Sequence, residues 1–451
     1  MKRFAALTLV LFSLLFVVSF AEESNPLEID SRTAIVYNSD NKKILYSKDA
    51  QSIVYPASLT KIMTGLLACE YYNSRGGDFT VTVSENASSA PGTTVGLREG
   101  ERVSFYDLIA AMMVGGGNDA AFAVAETVGG SVEGFVDMMN RRAKDLGAVN
   151  TRYSNPAGFH SPDMLTTLYD QALICAAAAD NSLLSQISSL VTHTTESEWN
   201  GKKRTFTNAN LLLDPKHWLG HYTPDTRGLN VGSTNEAGWC MATVFYDDGL
   251  TDIIIVSGGR NEILHTGGEY IFNYYYLEDV KNLINYARDS FGFVKILDSQ
   301  KPMFDVDISL AVDCDKLILE TEKEIVALLP ENIDVEKEIT IKTLLDKDTF
   351  EAPVKEGDVF GTAEAYYQGE LLGSVNITAA TGVKRSFRLF VFDRISKFFS
   401  NDTVQSILCF LLSVSFAVGT GFFIRTCINQ RKRRMMLRRA RRSMHIHAKR
   451  K

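Results

Sequence analysis

Cysteine, histidine and proline are all scarce in this 451-residue chain, which holds six, seven and ten of them. The cysteines (Cys69, Cys175, Cys240, Cys314, Cys409 and Cys427) are scattered along its length. That spacing excludes a disulfide framework and a cysteine-built metal site. Among the histidines of the body only His217 and His221 have a ligand-like separation; Gly220 and Pro224 put them in a loop without an evident third ligand. His160, beside Gly158 and Pro162, also reads as a loop residue. Basic residues are scarce over most of the chain: residues 22–383 carry 28 Lys and Arg against 52 Asp and Glu, a difference of −24. The overall charge of −7 hides this because the basic excess sits at the two ends. So acidic a body argues against nucleic acid as a partner. Internal repeats and low-complexity segments are also lacking, and no cofactor is expected.

The ends bound the location. Lys2 and Arg3, the apolar run Phe4–Val18 and the small-x-small step Ser19-Phe20-Ala21 read as a secretory signal over residues 1–21, removed before Glu22. Thr403–Ile424 contains no charge and is long enough to cross a bilayer. From Arg425 to Lys451 there follow twelve Lys or Arg and no acid, the pattern of a cytoplasmic tail. The expected topology is a single-pass protein of the cell membrane with its body outside and residues 425–451 inside. Residues 384–402 mix Phe387, Leu389, Phe390, Phe392, Ile395, Phe398 and Phe399 with Arg388, Arg394 and Lys397, which fits a segment lying on the membrane surface.

The exported body is too long for one core, so two domains are expected, 22–290 and 291–383. In the first, Thr33–Tyr37 and Lys43–Ser47 flank Asn38-Ser39-Asp40-Asn41 as a hairpin. Helical periodicity follows at Ser58–Tyr72, Phe105–Met113, Asp119–Thr127, Val132–Lys144 and Thr166–Ala179. Strands return at Trp239–Tyr246 and Thr251–Ser257, and Asp279–Asp289 reads as a closing helix. This order predicts an α/β domain, one antiparallel sheet with helices on its faces. The second domain reads as all-β, with short alternating stretches at Val306–Leu310, Leu317–Glu322, Ile339–Thr343, Thr362–Tyr367 and Leu371–Thr378. It carries no evident chemistry and suits a spacer between the first domain and the membrane.

The chemistry concentrates in Tyr55-Pro56-Ala57-Ser58-Leu59-Thr60-Lys61-Ile62-Met63-Thr64. On a helix, positions i and i+3 share a face, so the Lys61 amine can stand one turn from the Ser58 hydroxyl. A serine becomes a nucleophile when a base takes its proton, and a lysine is a base only where its surroundings hold it neutral. Ser58 and Lys61 are therefore candidate nucleophile and general base; a helix-capping serine followed by a solvated lysine is the plainer alternative.

In its wider context the chain resembles the low-molecular-mass penicillin-binding proteins, the serine D-alanyl-D-alanine carboxypeptidases. The resemblance rests on Pro56-Ala57-Ser58-Leu59-Thr60-Lys61, Leu97-Arg98-Glu99-Gly100-Glu101, Gly117-Asn118-Asp119-Ala120-Ala121, Asn155-Pro156-Ala157-Gly158 and Ser233-Thr234-Asn235-Glu236-Ala237-Gly238. Ala352-Pro353-Val354-Lys355-Glu356-Gly357 resembles the same family's second domain. It implies a penicillin-recognising fold of the β-lactamase and transpeptidase type, a small all-β domain, and a C-terminal transmembrane helix. It further implies that Ser58 attacks the bond between two terminal D-alanines of a peptidoglycan stem peptide and forms an acyl-enzyme, a site β-lactams could also take. Lys61 would accept the serine proton, and Asn118 would reach Lys61 and the substrate backbone. The N–H groups of Ser58 and Ser233 would form the oxyanion hole, and Asn230 would sit at the substrate-binding third motif.

Four positions in three segments depart from the pattern. The usual Ser-x-Asn is Gly116-Gly117-Asn118, the usual Lys-Thr-Gly is Asn230-Val231-Gly232, and an arginine before the closing helix is Tyr276. Arg227 and Arg260 are nearby in sequence and are candidates to supply the missing cation. A substrate carboxylate in a partly desolvated site wants a cation, and Lys61 without a second cation must rely mainly on burial to stay neutral. A membrane-anchored carboxypeptidase is the leading reading. A member that binds wall peptide or a partner without turnover is the alternative, and a different reaction on the same scaffold, β-lactam hydrolysis or action on substrates lacking a free carboxylate, is the third.

Overall fold

Strand alternation divides the first part of the molecule into two cores. The structure, a computed structural model, describes residues 27–195, 202–266, 269–347 and 349–447; the expected signal segment lies outside them. The chain forms two units, one running to Gly292 and joined by Leu328–Asn332, the other holding Phe293–Ala327 and the residues from Ile333 onward.

In chain order the first unit contains β1 (Thr33–Asn38), β2 (Lys43–Lys48), α1 (Thr60–Arg75), β3 (Thr80–Thr82), β4 (Arg102–Ser104) and α2 (Phe105–Met113). There follow α3 (Asn118–Gly129), α4 (Val132–Asp145), α5 (Leu168–Asp180), α6 (Ser182–Ser188), β5 (Thr192–Thr194) and β6 (Thr205–Thr207). The last elements are β7 (Thr226–Thr234), β8 (Gly238–Asp247), β9 (Leu250–Gly259), β10 (Glu262–Thr266), β11 (Glu269–Asn273) and α7 (Tyr275–Ser290).

Five strands make one antiparallel sheet in the order β2-β1-β9-β8-β7, so β7 is an edge. Successive side chains of a strand point to opposite faces. Ile35 and Tyr37 of β1, with Ile253 and Ile255 of β9, enter the larger core beneath α1–α5. Their neighbours Ala34, Val36, Ile254 and Val256 enter a second core covered by Leu277, Val280, Leu283 and Ile284 of α7. The sheet is thus buried on both faces, in agreement with the expected antiparallel sheet with helices on its faces. Ser104, Ser131 and Thr167 cap α2, α4 and α5 by accepting the N–H of Asp107, Gly134 and Asp170.

Some expectations shift. Ser58 does not open the helix but lies in a 3-10 turn, Ala57–Leu59, and α1 starts at Thr60. The closing helix begins at Tyr275, one turn before the expected Asp279. Strand β7 escaped periodicity because Gly228, Asn230 and Gly232 interrupt any apolar alternation. The hairpin of β10 and β11 also went unforeseen.

The second unit is built on a six-stranded sheet in the order Ile339–Leu345, Val359–Tyr367, Glu370–Ala379, Lys316–Thr321, Pro302–Ser309, Phe350–Glu351. Leu317, Leu319, Ala363, Ile377 and Ala379 form its core. The five stretches expected from alternation all lie in or overlap this sheet. Beyond it come α8 (Phe387–Ser400), with Phe387, Phe392 and Phe398 exposed, and the continuous α9 (Asp402–His447). Within α9, Asp402–Arg438 is long and apolar enough to span a membrane, with a mean hydropathy of 2.3 in its most apolar stretch.

The segment before β1 is fastened to α7 by one buried carboxylate. Asp279 accepts from Asp30 N–H at 2.9 Å, Ser31 N–H at 2.7 Å and the Ser31 hydroxyl at 2.6 Å. Replacing it with alanine strands these donors at a cost of about 2 kcal/mol or more. Asp279→Ala should lower the thermal midpoint of the first unit by about 4–8 °C, read by calorimetry. A shift within about 1 °C would show that this anchor contributes little.

Candidate active site

Lys61 is the most deeply buried cation of the larger core, with 1% of its surface exposed. Helix α1 carries it inward because Ile62, Met63, Leu66 and Leu67 draw the helix into that core. Its Nζ donates to Ser58 Oγ at 3.2 Å and to the Ala157 carbonyl at 2.7 Å. Burial pushes the ammonium down to about 7, while the negative charge of Asp119 works in the opposite direction. A lysine so placed has a substantial neutral fraction at ordinary pH, as a general base must.

The Ala157 carbonyl is aimed at Lys61 by a turn that only glycine can complete. Asn155 Oδ1 accepts the N–H of Ala157 at 3.1 Å and of Gly158 at 2.7 Å. Gly158 has φ +88°, and a Cβ there would lie 1.9 Å from the Ala57 carbonyl oxygen. Pro156 O accepts from Thr64 Oγ1 at 2.7 Å, joining the same turn to α1.

Strand β7 passes directly over Ser58. A Cβ on Gly232 would stand 2.6 Å from Ser58 Oγ, so a side chain there would collide with the hydroxyl. Gly232 pairs with Cys240 and Asn230 with Ala242, both of which belong to the larger core. Asn230 and Gly232 therefore share the face that meets Ser58, and Val231 turns away into the second core. Ser233 is exposed and pairs with Trp239. Asn230 is 4% exposed, and its Nδ2 is buried without an acceptor.

Asn118 departs from the expected reach to Lys61. Its Nδ2 donates to the Pro91 carbonyl at 2.6 Å and its backbone N–H to Thr93 O at 2.8 Å. The loop Pro91–Leu97 is held against α3 by Asp119, whose carboxylate accepts from Val95 N–H and Leu97 N–H. With that loop in place, the Asn118 Nδ2 is committed to the Pro91 carbonyl. Gly116 has φ +68°, and a Cβ on it would meet nothing within 4 Å, so the position of the missing serine hydroxyl is open.

Neither arginine fills the missing cation's place. Arg260 donates from Nε to Asp30 Oδ2 at 2.9 Å and from Nη2 to Asp30 Oδ1, and it lies over the Tyr275 ring. Arg227 is exposed, and its Nη1 donates to its neighbour's carbonyl, Thr226 O. Tyr276 is buried and stacked on Trp239 with centroids 5.0 Å apart. His217 Nδ1 accepts from Leu219 N–H, and His221 Nδ1 lies 3.4 Å from Glu278 Oε1. A cleft of about 840 Å³ lined by Glu28, Asp30, Lys48, Glu278 and Asp279 shares no residue with the Ser58 site.

Asp119 and the Ala157 carbonyl were not legible as site members. The carbonyl leaves no mark in sequence, although the Asn155-Pro156-Ala157-Gly158 turn does.

The comparisons agree with this architecture. The sequence pattern of the D-alanyl-D-alanine carboxypeptidase family matches residues 19–261, and that of the penicillin-binding protein 5 C-terminal domain matches residues 312–385. D-alanyl-D-alanine carboxypeptidase DacF of Bacillus subtilis is 26% identical over 406 residues, covering 86% of this chain and 96% of the relative. DacD of Salmonella typhimurium is 28% identical over 397 residues, covering 85% and 93%. The crystal structure of D-alanyl-D-alanine carboxypeptidase DacD from Francisella tularensis shares the fold with a TM-score of 0.58 at 22% identity, over 80% of this chain and 95% of that one. With a match running through the whole first unit up to β10, the chain belongs to the D-alanyl-D-alanine carboxypeptidase family.

Proposed function

We propose that this protein is a membrane-anchored serine-type D-Ala-D-Ala carboxypeptidase that acts on peptidoglycan stem peptides through an acyl-enzyme on Ser58. The observation that carries the reading is the buried Lys61 amine, with a pKa of about 7, 3.2 Å from Ser58 Oγ. Neutral Lys61 takes the Oγ proton as Oγ bonds to the carbonyl carbon between the two D-alanines. The oxyanion is received by the N–H groups of Ser58 and Ser233, donors fixed in place before the charge develops. Lys61 then returns the proton to the leaving nitrogen, the C–N bond breaks, and D-alanine departs. Water activated by the same amine hydrolyses the ester. β-Lactams would acylate the same serine. Helix α9 supplies the anchor: residues 403–424 cross the bilayer, residues 425–451 lie in the cytoplasm, α8 lies at the surface, and the catalytic domain (22–290) and all-β domain (291–383) are exported.

A binding role without turnover draws on one further observation, the Asn118 Nδ2 donor already committed to the Pro91 carbonyl and so withdrawn from a substrate backbone. The first test separates the two. Full-length protein in detergent should release D-alanine from an acylated peptide ending in D-Ala-D-Ala and take up a fluorescent penicillin. Ser58→Ala should abolish both. A folded parent protein that releases nothing would favour the binding role, and release that survives in Ser58→Ala would overturn Ser58 as nucleophile.

The pH dependence follows from Lys61. The base works only when neutral, so kcat/KM should fall about tenfold per unit below pH 7 and level off above it. Asp119 stabilises the charged amine, and removing its charge lowers the lysine pKa further. Asp119→Asn should therefore move the acidic limb to lower pH. A limb that stays in place or moves upward would disprove the coupling.

A further inference from the structure

We propose that Asn230 makes the site selective for peptides whose carboxyl group beyond the scissile bond is blocked as an amide, as in a carboxamide or an internal peptide link. The inference rests on the reading of Ser58 as nucleophile and specifies its substrate.

Asn230 stands two residues before Gly232 on the strand face that meets Ser58, its backbone about 7 Å along β7 from that of Gly232. Its Nδ2 is buried and has no acceptor. A buried donor without a partner forfeits its hydration with nothing in return, and an acceptor brought by a ligand restores the balance. An amide carbonyl is such an acceptor and carries no charge.

A carboxylate is poorly served there. Buried anions require a cation or several donors; Arg32, beside Gly258, is exposed, and four other cations are held elsewhere. Lys61 is bonded to Ser58 and Ala157 O, Arg260 to Asp30, Arg204 to Glu101 and Gly96 O, and Arg227 is exposed against Thr226 O. Val231 and Tyr276, two of the other altered positions, are packed in the second core. A carboxylate beside Lys61 would also act as Asp119 does and hold the amine in its charged form, disabling the base. A neutral amide leaves the base intact.

The chemistry is the acyl transfer already described. The Oγ–C bond forms, the C–N bond breaks, and the serine proton passes through Lys61 to an amine whose own carboxyl is amidated. Water then releases the acyl group.

The test compares an acylated Lys-D-Ala-D-Ala peptide with its C-terminal carboxamide, using full-length protein in detergent. Turnover is read as kcat/KM, and binding is read by calorimetry on the Ser58→Ala variant, which needs no catalysis. The carboxamide should be favoured about tenfold or more in both readouts. Asn230→Lys should reverse the preference by supplying a cation. Asn230→Leu, close in volume and without a donor, should abolish it, and it serves if the lysine variant fails to fold. Equal or tighter binding of the free acid, a ratio that neither substitution moves, or no measurable binding of either peptide would overturn the inference. Turnover without the preference would defeat the inference and leave the Ser58 reading intact. Preferential binding without turnover would support the selectivity and defeat the nucleophile.

Discussion

The buried amine of Lys61 is the constraint around which the first unit is arranged. An ammonium removed from water is costly unless it is paired or gives up its proton. Here the nearest partners are a hydroxyl and a peptide carbonyl, neither of them charged. The carboxylate that acts on it, Asp119, spends its oxygens on the backbone N–H groups of Val95, Leu97 and Ala120. The amine is left with the surroundings of a neutral base. Any loosening of the core around α1 would admit water, raise the lysine pKa and disable the base.

Fixing that amine requires a rigid frame on three sides. Asn155 and Gly158 shape the turn below it, and the close approach of Gly158 to Ala57 positions the same 3-10 turn that presents Ser58. Gly232 lets the edge strand β7 close over the serine without a collision. On the third side the β5–β6 hairpin holds the loop and helix ends preceding Asn118. Arg204 reaches Glu101 through two hydrogen bonds, His193 Nε2 lies 2.8 Å from Asp107 Oδ1, and a Cβ on Gly115 would press on Phe206. Glu101 and Asp107 are both buried, which makes these contacts more consequential than surface pairs.

Much of this was legible before any coordinates. Long periodic helices and the alternating strands β1, β8 and β9 announced the sheet and its helical cover, because burial on both faces demands runs such as Ile253-Ile254-Ile255-Val256. The three-residue step from Ser58 to Lys61 announced their contact for the same local reason. What stayed hidden was non-local or borne by the backbone. The carbonyl acceptor comes from Ala157, 96 residues away. The carbonyl that takes the Asn118 Nδ2 belongs to Pro91, in a loop held by the Asp119 carboxylate. Strand β7 was masked by its own glycines, although one of them is the residue that admits Ser58.

The altered motifs change together in a physically consistent way. A lysine at position 230 would have done two things, gripping an anion and repelling charge from Lys61. Its replacement by asparagine removes both, yet the amine stays depressed because burial is the leading cause of its shift. Burial thus holds the Lys61 pKa down without a second cation, while Asn230 offers an anion no charge. Val231 packs in the second core, and Tyr276 of α7 stacks on Trp239 of β8, so neither brings a charge to the site. Around Lys61, Asn155, Gly158 and Gly232 each meet a tight steric or hydrogen-bonding demand. An intact base beside an uncharged binding wall is what the proposed selectivity for amide-blocked peptides requires.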